Sequence, residues 1–475
     1  MPRNLSRSNP RSTRPRRGSV IVIVVWAVAI AAIIVGAAQV MAFRQAAMGR
    51  ESIARVEARW AARAGIEESI AVLEYHTEEP DPLDARQMYK DLETSADGEV
   101  ESGTWEIRHT EDGVEVPGPQ DEHARMNVNQ LTQLQLMSLS GMTMDVADAI
   151  LDWRDTDDES RLMGAEREFY VNRNLGYEPR NGDIRSIPEI ELIAGAFPSS
   201  VRGEDANLNG RLDPNENDGA LSEPPDDADG LLDAGWSAAL TARSAGSLLG
   251  VSGEARLNLK EAGAEEVTER FGVTAEQAAA LVAFAKQPSA KLEMLLTQDL
   301  ASLSQTGGNR NAAGAQGGAA GGSRNGRQSG RSASGAPSQN QNSRIQPLDN
   351  QQLRRIFQEA TLEDGSKPIL GKVNLNTAPP SVIRALLPED TISADAILSI
   401  RNASSTGLLA ISDLRGSSRI TEQALAAIAP LADTQSNVFT ITSRGRSAST
   451  GLEVEITVVV DRSTLPARIL EYREQ

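Results

Sequence analysis

Hydrophobic residues are spread unevenly along the chain, and the first apolar block is the longest. Residues 19–43 carry no charged side chain. A helix of that length would be roughly 37 Å long, enough to cross a ~30 Å hydrocarbon core. Residues 51–76 then place apolar side chains mostly at three- and four-residue steps, which is typical of an amphipathic helix. The pattern predicts one long helix over 19–76 that begins in a membrane and continues beyond it.

Alternation of polar and apolar residues predicts strands at two distant places. Residues 104–109 alternate, an Asp-Gly pair at 112–113 is a turn signal, and residues 114–116 return, which indicates a β-hairpin. Two more strands are predicted at 437–447 and 452–462. We expect these strands to form one small antiparallel sheet interrupted by a large helical domain, which is an α+β fold.

Three copies of one unit are predicted inside the insertion. Their central asparagines are Asn127, Asn258 and Asn374, and twenty positions after each an alanine opens a similar phrase, "ADAIL", "AAALV" or "ADAIL". An apolar helix, a short turn and a second helix are predicted in each copy. Equal spacing in three places indicates a duplicated helix–hairpin–helix-like unit. Arg154 and Arg401 follow at matching positions in the first and third copies. The turns carry no basic patch, so the pattern favours a packing scaffold over a DNA-binding module.

Composition marks a linker and completes the division of the chain. Residues 302–346 are rich in Gly, Ser, Asn, Gln and Ala and predict a disordered insertion between the second and third copies. The predicted segments are a basic leader (1–18), the long helix (19–76), the first strands (77–124), an inserted helical domain with calcium loops (125–301), the linker (302–346), the third helix–hairpin–helix-like unit (347–436) and the closing strands (437–475).

Charge predicts how the long helix is oriented in the membrane and which classes of ligand the chain could bind. Six arginines and no acidic residue precede the apolar run, which places that end in the cytoplasm by the positive-inside rule. Without these arginines the formal charge of −19 becomes −25 for the rest of the chain. A body this acidic disfavours nucleic acid and favours cations. Cysteine is absent, which excludes thiolate metal sites, and no catalytic arrangement is recognisable, so no enzyme is predicted.

Acidic residues form three groups that could hold a metal. Residues 205–216 fit the twelve-residue EF-hand loop, with Gly210 at the turn. The ligand positions, the fourth of them a backbone carbonyl, are Asp205, Asn207, Asn209, Arg211, Asp213 and Glu216. A partial echo at 226–236 has Trp236 where a glutamate is expected and supplies Asp227, Asp229 and Asp233. The third group is Asp152, Asp155, Asp157, Asp158 and Glu166. The sequence predicts one Ca²⁺ and leaves a second and a third open, with a polar loop as the alternative in each case.

These features resemble type II secretion system protein K, a family of minor pseudopilins. The resemblance rests on the Arg-Arg-Gly before the apolar run, and on "MNVN", "ADAILDWRDTDDES", "GAEREFY", "GDIRSIPEIELI", "VNLNTAPPSVIRALL", "VVVDR" and "ILEYRE". It implies a leader cut after Gly18 by prepilin peptidase, methylation of Ser19, and a calcium-binding helical domain. It also implies a single-pass inner-membrane protein with a cytoplasmic N-terminus and a periplasmic body. The implied partners are the major pseudopilin and other minor pseudopilins at the pseudopilus tip.

One departure from pilins in general fits this resemblance. Ile23 stands five residues into the chain expected after cleavage, where most pilin-like proteins carry a glutamate that neutralises the amine of the next subunit. The absence of this glutamate suits a tip subunit better than a repeating shaft subunit. Two alternatives stay open: a membrane-anchored DNA-uptake or competence pilin-like protein using its helix–hairpin–helix units, and a calcium-dependent surface scaffold.

Overall fold

The computed structural model describes residues 18–222, 225–305, 345–365 and 369–474. The leader up to residue 17 and most of the predicted linker, residues 306–344, lie outside this range. The α-helices of the described residues are α1 (Gly18–Glu78), α2 (Gln87–Thr94), α3 (Gln133–Leu136), α4 (Met144–Arg154), α5 (Arg167–Asn172), α6 (Pro198–Arg202), α7 (Ala264–Phe271), α8 (Ala275–Ala285), α9 (Met294–Thr297), α10 (Leu300–Gln305), α11 (Asn350–Glu359), α12 (Pro380–Leu386), α13 (Thr391–Ala403) and α14 (Glu422–Ile428).

The strands of the described residues are β1 (Asp97–Val100), β2 (Gly103–Glu111), β3 (Val114–Pro117), β4 (Gln120–Asp121), β5 (Met126–Asn127), β6 (Leu240–Thr241), β7 (Leu257–Asn258), β8 (Ala360–Thr361), β9 (Val373–Asn374), β10 (Ala432–Asp433), β11 (Val438–Ser447), β12 (Glu453–Asp461) and β13 (Arg468–Glu474). Short 3₁₀ helices cover Glu122–Ala124, Ile187–Leu192, Pro214–Glu216, Gly235–Ala238 and Ile411–Leu414.

Helix α1 confirms the predicted unbroken helix. Its Val20–Glu78 portion is, among the described residues, the one helix long and apolar enough to cross a membrane by length and composition. Its large apolar side chains between Val20 and Met48 are exposed, whereas from Ala54 onward one side of the helix is buried. The helix thus has an exposed apolar half and a half that packs on the sheet.

One seven-stranded antiparallel sheet lies against the second half of α1. Its order is β1-β2-β11-β12-β13, with β3 paired to β2 and β4 paired to β11. The predicted hairpin is the β2–β3 pair, in which Glu111 is opposite Val114. Strand β11 pairs with β2 on one side and with β12 on the other. The predicted sheet, interrupted by the helical insertion, is therefore confirmed.

Small residues allow the helix and the sheet to approach closely. Ala58 and Ala62 of α1 are fully buried. A Cβ atom on Gly445 of β11 would stand 2.0 Å from the carbonyl oxygen of Ala58 and 2.3 Å from the backbone nitrogen of Ala62. Gly65 of α1 leaves similar room for the Trp105 ring, which an added Cβ would meet at 2.4 Å. Glycine is therefore required at both contacts for steric reasons.

The three sequence repeats are three structural units with the same closure. Each unit is closed by a parallel pair of two-residue strands: β5 with β6, β7 with β8, and β9 with β10. The central asparagines found in the sequence, Asn127, Asn258 and Asn374, lie on the first strand of each pair. The repeat spacing therefore reflects one recurring piece of backbone.

The matched arginines have the same role in the first and third units. Arg154 donates hydrogen bonds to the carbonyl oxygens of Val128 and Leu131. Arg401 donates to the carbonyl oxygens at the two equivalent positions of the third unit. Each arginine joins its second helix to the turn after the central asparagine, so their shared spacing has a packing reason.

Two predicted boundaries around the second unit are wrong. Because Ala360–Thr361 pairs with Leu257–Asn258, the chain up to residue 361 completes the second unit. The predicted linker therefore lies within the second unit, and residues 347–361 do not begin the third unit. The predicted linker also starts too early, since residues 302–305 belong to α10 and Leu303 is buried.

Apolar packing explains these boundaries. Leu353 and Ile356 of α11 share a core with Phe271 and Phe284. The chain on both sides of the predicted linker therefore contributes to one apolar cluster. The first and third units share a separate core, and α1 with the sheet forms another. The inserted region is thus built around two cores, one within the second unit and one shared mainly by the first and third units.

The contact at Gly445 yields a test of the helix–sheet packing. Replacing Gly445 with alanine should lower the free energy of unfolding by about 1–3 kcal/mol, because the added methyl group meets the backbone of α1. Gly49→Ala is the matched control, since its added Cβ meets no described heavy atom within 4 Å and alanine favours a helix. Thermal unfolding of the full chain in detergent, followed by circular dichroism, measures both. Equal midpoints for the two variants would contradict this packing.

Candidate metal sites

Three carboxylates from the third acidic group converge in the first unit. Oxygen atoms of Asp152, Asp155 and Glu166 all lie within 4.8 Å of one another. Asp152 is at the end of α4, Asp155 follows that helix, and Glu166 precedes α5. A Cβ atom on Gly164 would come within 1.9 Å of an Asp152 oxygen, so a glycine is needed beside the group. The loop between two helices therefore brings together residues that are distant in sequence.

Several oxygens at this group are buried without a hydrogen bond of normal geometry. Among the described residues these are both carboxylate oxygens of Glu166, Oδ1 of Asp155 and Oδ1 of Asn181. Glu166 as a whole is only 4% exposed. Buried polar atoms are almost always paired with protein or water, so an unpaired set marks a place for an ion or a bound water. Hard oxygen ligands of this kind suit Ca²⁺.

Electrostatics at the group also favours a cation. Burial, together with the nearby charges of Asp152, Asp155 and Asp158, raises the pKa of Glu166 to about 7, and the backbone N–H of Arg167 opposes this rise. The carboxylate is therefore held partly protonated near neutral pH unless a positive charge arrives. A divalent ion would supply that charge.

The remaining members of the third group lie at its edge. Asp157 accepts a hydrogen bond from the backbone of Glu159 and is exposed. Asp158 accepts from the side-chain amide of Asn181, which also donates to the Asp157 carbonyl. The structure does not place Asp157 or Asp158 among the three converging carboxylates. Sequence reasoning missed Asn181, whose only signal was an Asn-Gly pair in a turn.

The Asp205–Glu216 loop has the hydrogen bonds expected of a cation-binding loop. Asp205 accepts from the backbone of Asn209 and Gly210 at 3.1 and 3.0 Å. Asn207 accepts from Asn209, and Asn209 accepts from Arg211. Each of these oxygens keeps a free lone pair after one such bond, so the loop can still coordinate an ion. Gly210 has a φ of +70°, which supports the sharp turn.

Two carboxylates of this loop are buried and have raised pKa values. Burial raises the pKa of Asp205 to about 6, although the backbone N–H groups of Gly210 and Asn209 oppose this. Burial, and then the charges of Asp205 and Asp213, raise the pKa of Glu216 to about 7, against the N–H groups of Asp213 and Ala206. Glu216 is 1% exposed. Asp205 and Glu216, unlike Asp213, form no ion pair with an arginine or lysine among the described residues.

The same loop is fastened to the sheet by side chains. Thr110 and Thr442 donate to the carbonyl oxygens of Gly210 and Asn209. Two ion pairs add to this, Arg211 with Glu106 at 2.7 Å and Arg444 with Asp213 at 2.7 Å. The loop therefore joins the inserted domain to strands β2 and β11.

The partial second loop repeats the backbone of the first but stays open. Leu208 and Ala228 both have a φ of +55°. In each case a glycine with positive φ follows two residues later. Asp227 and Asp229 accept from backbone N–H groups two residues on, as Asn207 and Asn209 do. The aspartates Asp227, Asp229 and Asp233 are exposed and do not converge within the described residues.

A neighbouring glutamate stands where the second loop lacks one. Glu204 accepts from the backbone of Asp227 and Asp233. Trp236, which replaces the expected glutamate, is buried and donates to the carbonyl of Ser140. Sequence reasoning missed Glu204, because it precedes the first loop and not the second. We assign no ion to this loop.

A long apolar helix packed on one antiparallel sheet, with a helical domain inserted between its strands, defines an α+β fold. Residues 113–203 match the family described as "Type II secretion system (T2SS), protein K". This match confirms the resemblance predicted from the sequence, over the segment that contains the Asp152–Glu166 group.

A solved structure shows a distant likeness to the whole chain. It is described as "The Crystal Structure of the GspK-GspI-GspJ complex from enterotoxigenic Escherichia coli Type 2 Secretion System". The likeness covers 90% of this chain and 99% of the solved chain, with 10% identity and a TM-score of 0.44. No curated protein sequence matches the chain.

The raised pKa values predict an inverted pH dependence for the calcium-free protein. Glu166, Glu216 and Asp205 have folded pKa values of about 7, 7 and 6. In the unfolded chain they return to roughly 4. Between those values the folded state holds protons that the unfolded state has lost, so stability should fall as pH rises from about 5 to 7.5.

Calorimetry in EDTA and in excess Ca²⁺ measures this effect. We expect the thermal midpoint in EDTA to fall with pH over that window, and the increment from Ca²⁺ to grow. Glu166→Gln with Glu216→Gln should flatten most of the EDTA profile, because two of the three titrating groups are gone and only Asp205 remains. A midpoint in EDTA that rises with pH across this window would show that these carboxylates are already compensated.

Proposed function

We propose that this chain is a minor pseudopilin of a type II secretion system, placed at the pseudopilus tip, where it supports the export of folded proteins across the outer membrane. The observation that carries the proposal is the family match over residues 113–203. The helix-on-sheet body supports it, because the exposed apolar half of α1 is suited first to a membrane and then to a filament core.

The N-terminus is proposed to mature by cleavage after Gly18. A basic cluster, a small residue and an apolar helix meet there, and α1 begins at Gly18. The new terminus would be Ser19, methylated, with the chain crossing the inner membrane once and its body in the periplasm. Ile23 would leave the amine of a subunit above it without a carboxylate, which fits a subunit with no neighbour in that direction.

Calcium is proposed at two places, one near Glu166 and one in the Asp205–Glu216 loop. At the first, Asp152, Asp155 and Glu166 would hold the ion. At the second, the loop's carboxylates and amides would hold it. Bound Ca²⁺ would neutralise buried negative charge and fix the loops; the protein residues orient the ligands and fasten the second loop to the sheet.

The partners proposed are other minor pseudopilins and the major pseudopilin. The described complex contains GspK with GspI and GspJ, which motivates the expectation of two further minor subunits. The DNA-uptake alternative is not favoured, because the family match is to a secretion component and the hairpins carry no basic patch. An enzymatic role has no support from the arrangement of the described side chains.

Deleting the gene in cells that encode it tests the function. Secretion of the system's exported proteins should stop and should return with the intact gene. Gly18→Val should not restore it, because the leader would stay attached, whereas Gly36→Ala, whose added methyl group meets no described atom within 4 Å, should. Mass spectrometry should find methylated Ser19 at the terminus of the restored protein. Normal secretion without the gene, or loss of DNA uptake alone, would contradict the proposal.

A further inference from the structure

A guanidinium group lies inside the Asp152–Glu166 carboxylate group. Nη1 of Arg161 donates to Oδ1 of Asp152 at 2.6 Å and to Oδ2 of Asp155 at 2.5 Å. The backbone N–H of Arg161 also reaches Asp152. Arg161 therefore holds two of the three carboxylates that could bind a metal ion.

This arrangement leaves the third carboxylate, Glu166, without a cationic partner. Arg161 makes no ion pair with Glu166 among the described residues, and both Glu166 oxygens stay unpaired and buried. One guanidinium faces three carboxylates, so the group keeps an excess of negative charge. The Arg161 guanidinium, with a single positive charge, thus neutralises part of the negative charge of the three carboxylates. A divalent ion would neutralise more of it.

An ion and Arg161 cannot hold the same oxygens together. A Ca²⁺ ion lies 2.3–2.6 Å from its oxygen ligands, which would bring it close to Nη1, and two positive charges at that distance repel strongly. The Arg161 side chain is 39% exposed, so it has a path to water. The helical backbone around Asp152 need not move for it to leave.

We propose that Arg161 is a built-in competitor of the metal: it neutralises Asp152 and Asp155 in the ion-free protein and leaves them when Ca²⁺ binds. The inference rests on the calcium site proposed above. Arg161 would set the affinity to a lower value than the carboxylates alone would give, and would keep the ion-free loop folded.

Calorimetric titration of the full chain in detergent tests this competition. The titrations use the Asp205→Ala/Glu216→Gln background, so that heat from the other loop is removed. In that background Arg161→Met should bind Ca²⁺ at least about tenfold more tightly, because hydrogen bonds between charged groups no longer have to be broken. Arg161→Lys keeps the charge and should stay closer to the parent.

Arg167→Met is the matched control. It removes the same charge from a nearby position, but Arg167 pairs with Glu178 and is 61% exposed. Its effect on affinity should be within about twofold, since exposed charges are screened. Equal tightening by both arginine substitutions would mean a general charge effect and would overturn the competition.

A stability measurement separates the remaining outcomes. In EDTA, Arg161→Met should lower the thermal midpoint, because three carboxylates lose their counter-charge, and saturating Ca²⁺ should erase that deficit. Unchanged or weaker Ca²⁺ binding by Arg161→Met overturns the competition alone. Absence of binding to the parent and to Arg161→Met, as expected for Glu166→Gln, would overturn the calcium site itself and the inference with it.

Discussion

Two adjacent buried carboxylates, Asp121 and Glu122, join the sheet to the inserted domain. Asp121 accepts from Thr377 and Ser436 of the third unit, both at 2.6 Å. Glu122 accepts from Thr241 of the first unit and from Thr440 of β11. Burial raises the pKa of Glu122, but Arg125, Arg243 and the two hydroxyl groups outweigh it and hold the pKa below its ordinary value. Neither carboxylate has an unpaired buried oxygen among the described residues, and together they link the point where the chain leaves the sheet after β4 to the point where it returns at β11.

The two candidate metal groups differ from the Asp121–Glu122 junction in what surrounds their buried carboxylates. Asp121 and Glu122 are surrounded by donors, whereas Glu166 and Glu216 are buried beside other carboxylates and their pKa values rise to about 7. A buried charge without a partner costs several kcal/mol unless it is neutralised. One of the two groups lies between α4 and α5 of the first unit, and the other lies against β2 and β11 of the sheet. The sheet is thus packed by α1 and is also bound to the Asp205–Glu216 loop through Thr110, Thr442 and Arg444.

Much of this architecture could be predicted from the sequence because its signals are local or periodic. The long helix, the β2–β3 hairpin and the spacing of the asparagines follow from patterns that one stretch of chain carries by itself. The boundary of the second unit could not, because β8 pairs with β7 across an insertion and no local signal records that pairing. The acidic groups could be recognised in the sequence as clusters of acidic residues. Burial, which only the fold shows, decides which of their carboxylates could bind a metal. Glu166 is enclosed and Asp157 is exposed although both belong to one run, and Asn181 joins them only through the fold.

The most direct test of this account is the number of calcium ions that the full-length chain retains. Equilibrium dialysis against Ca²⁺ at a fixed free concentration, with the bound metal counted by mass spectrometry, measures it. The account predicts two ions per chain, one ion in Glu166→Gln, and one in Asp205→Ala/Glu216→Gln. A wild-type chain that retains no ion, or variants that each retain two, would show that the buried carboxylates are stabilised by the protein alone and would contradict the account.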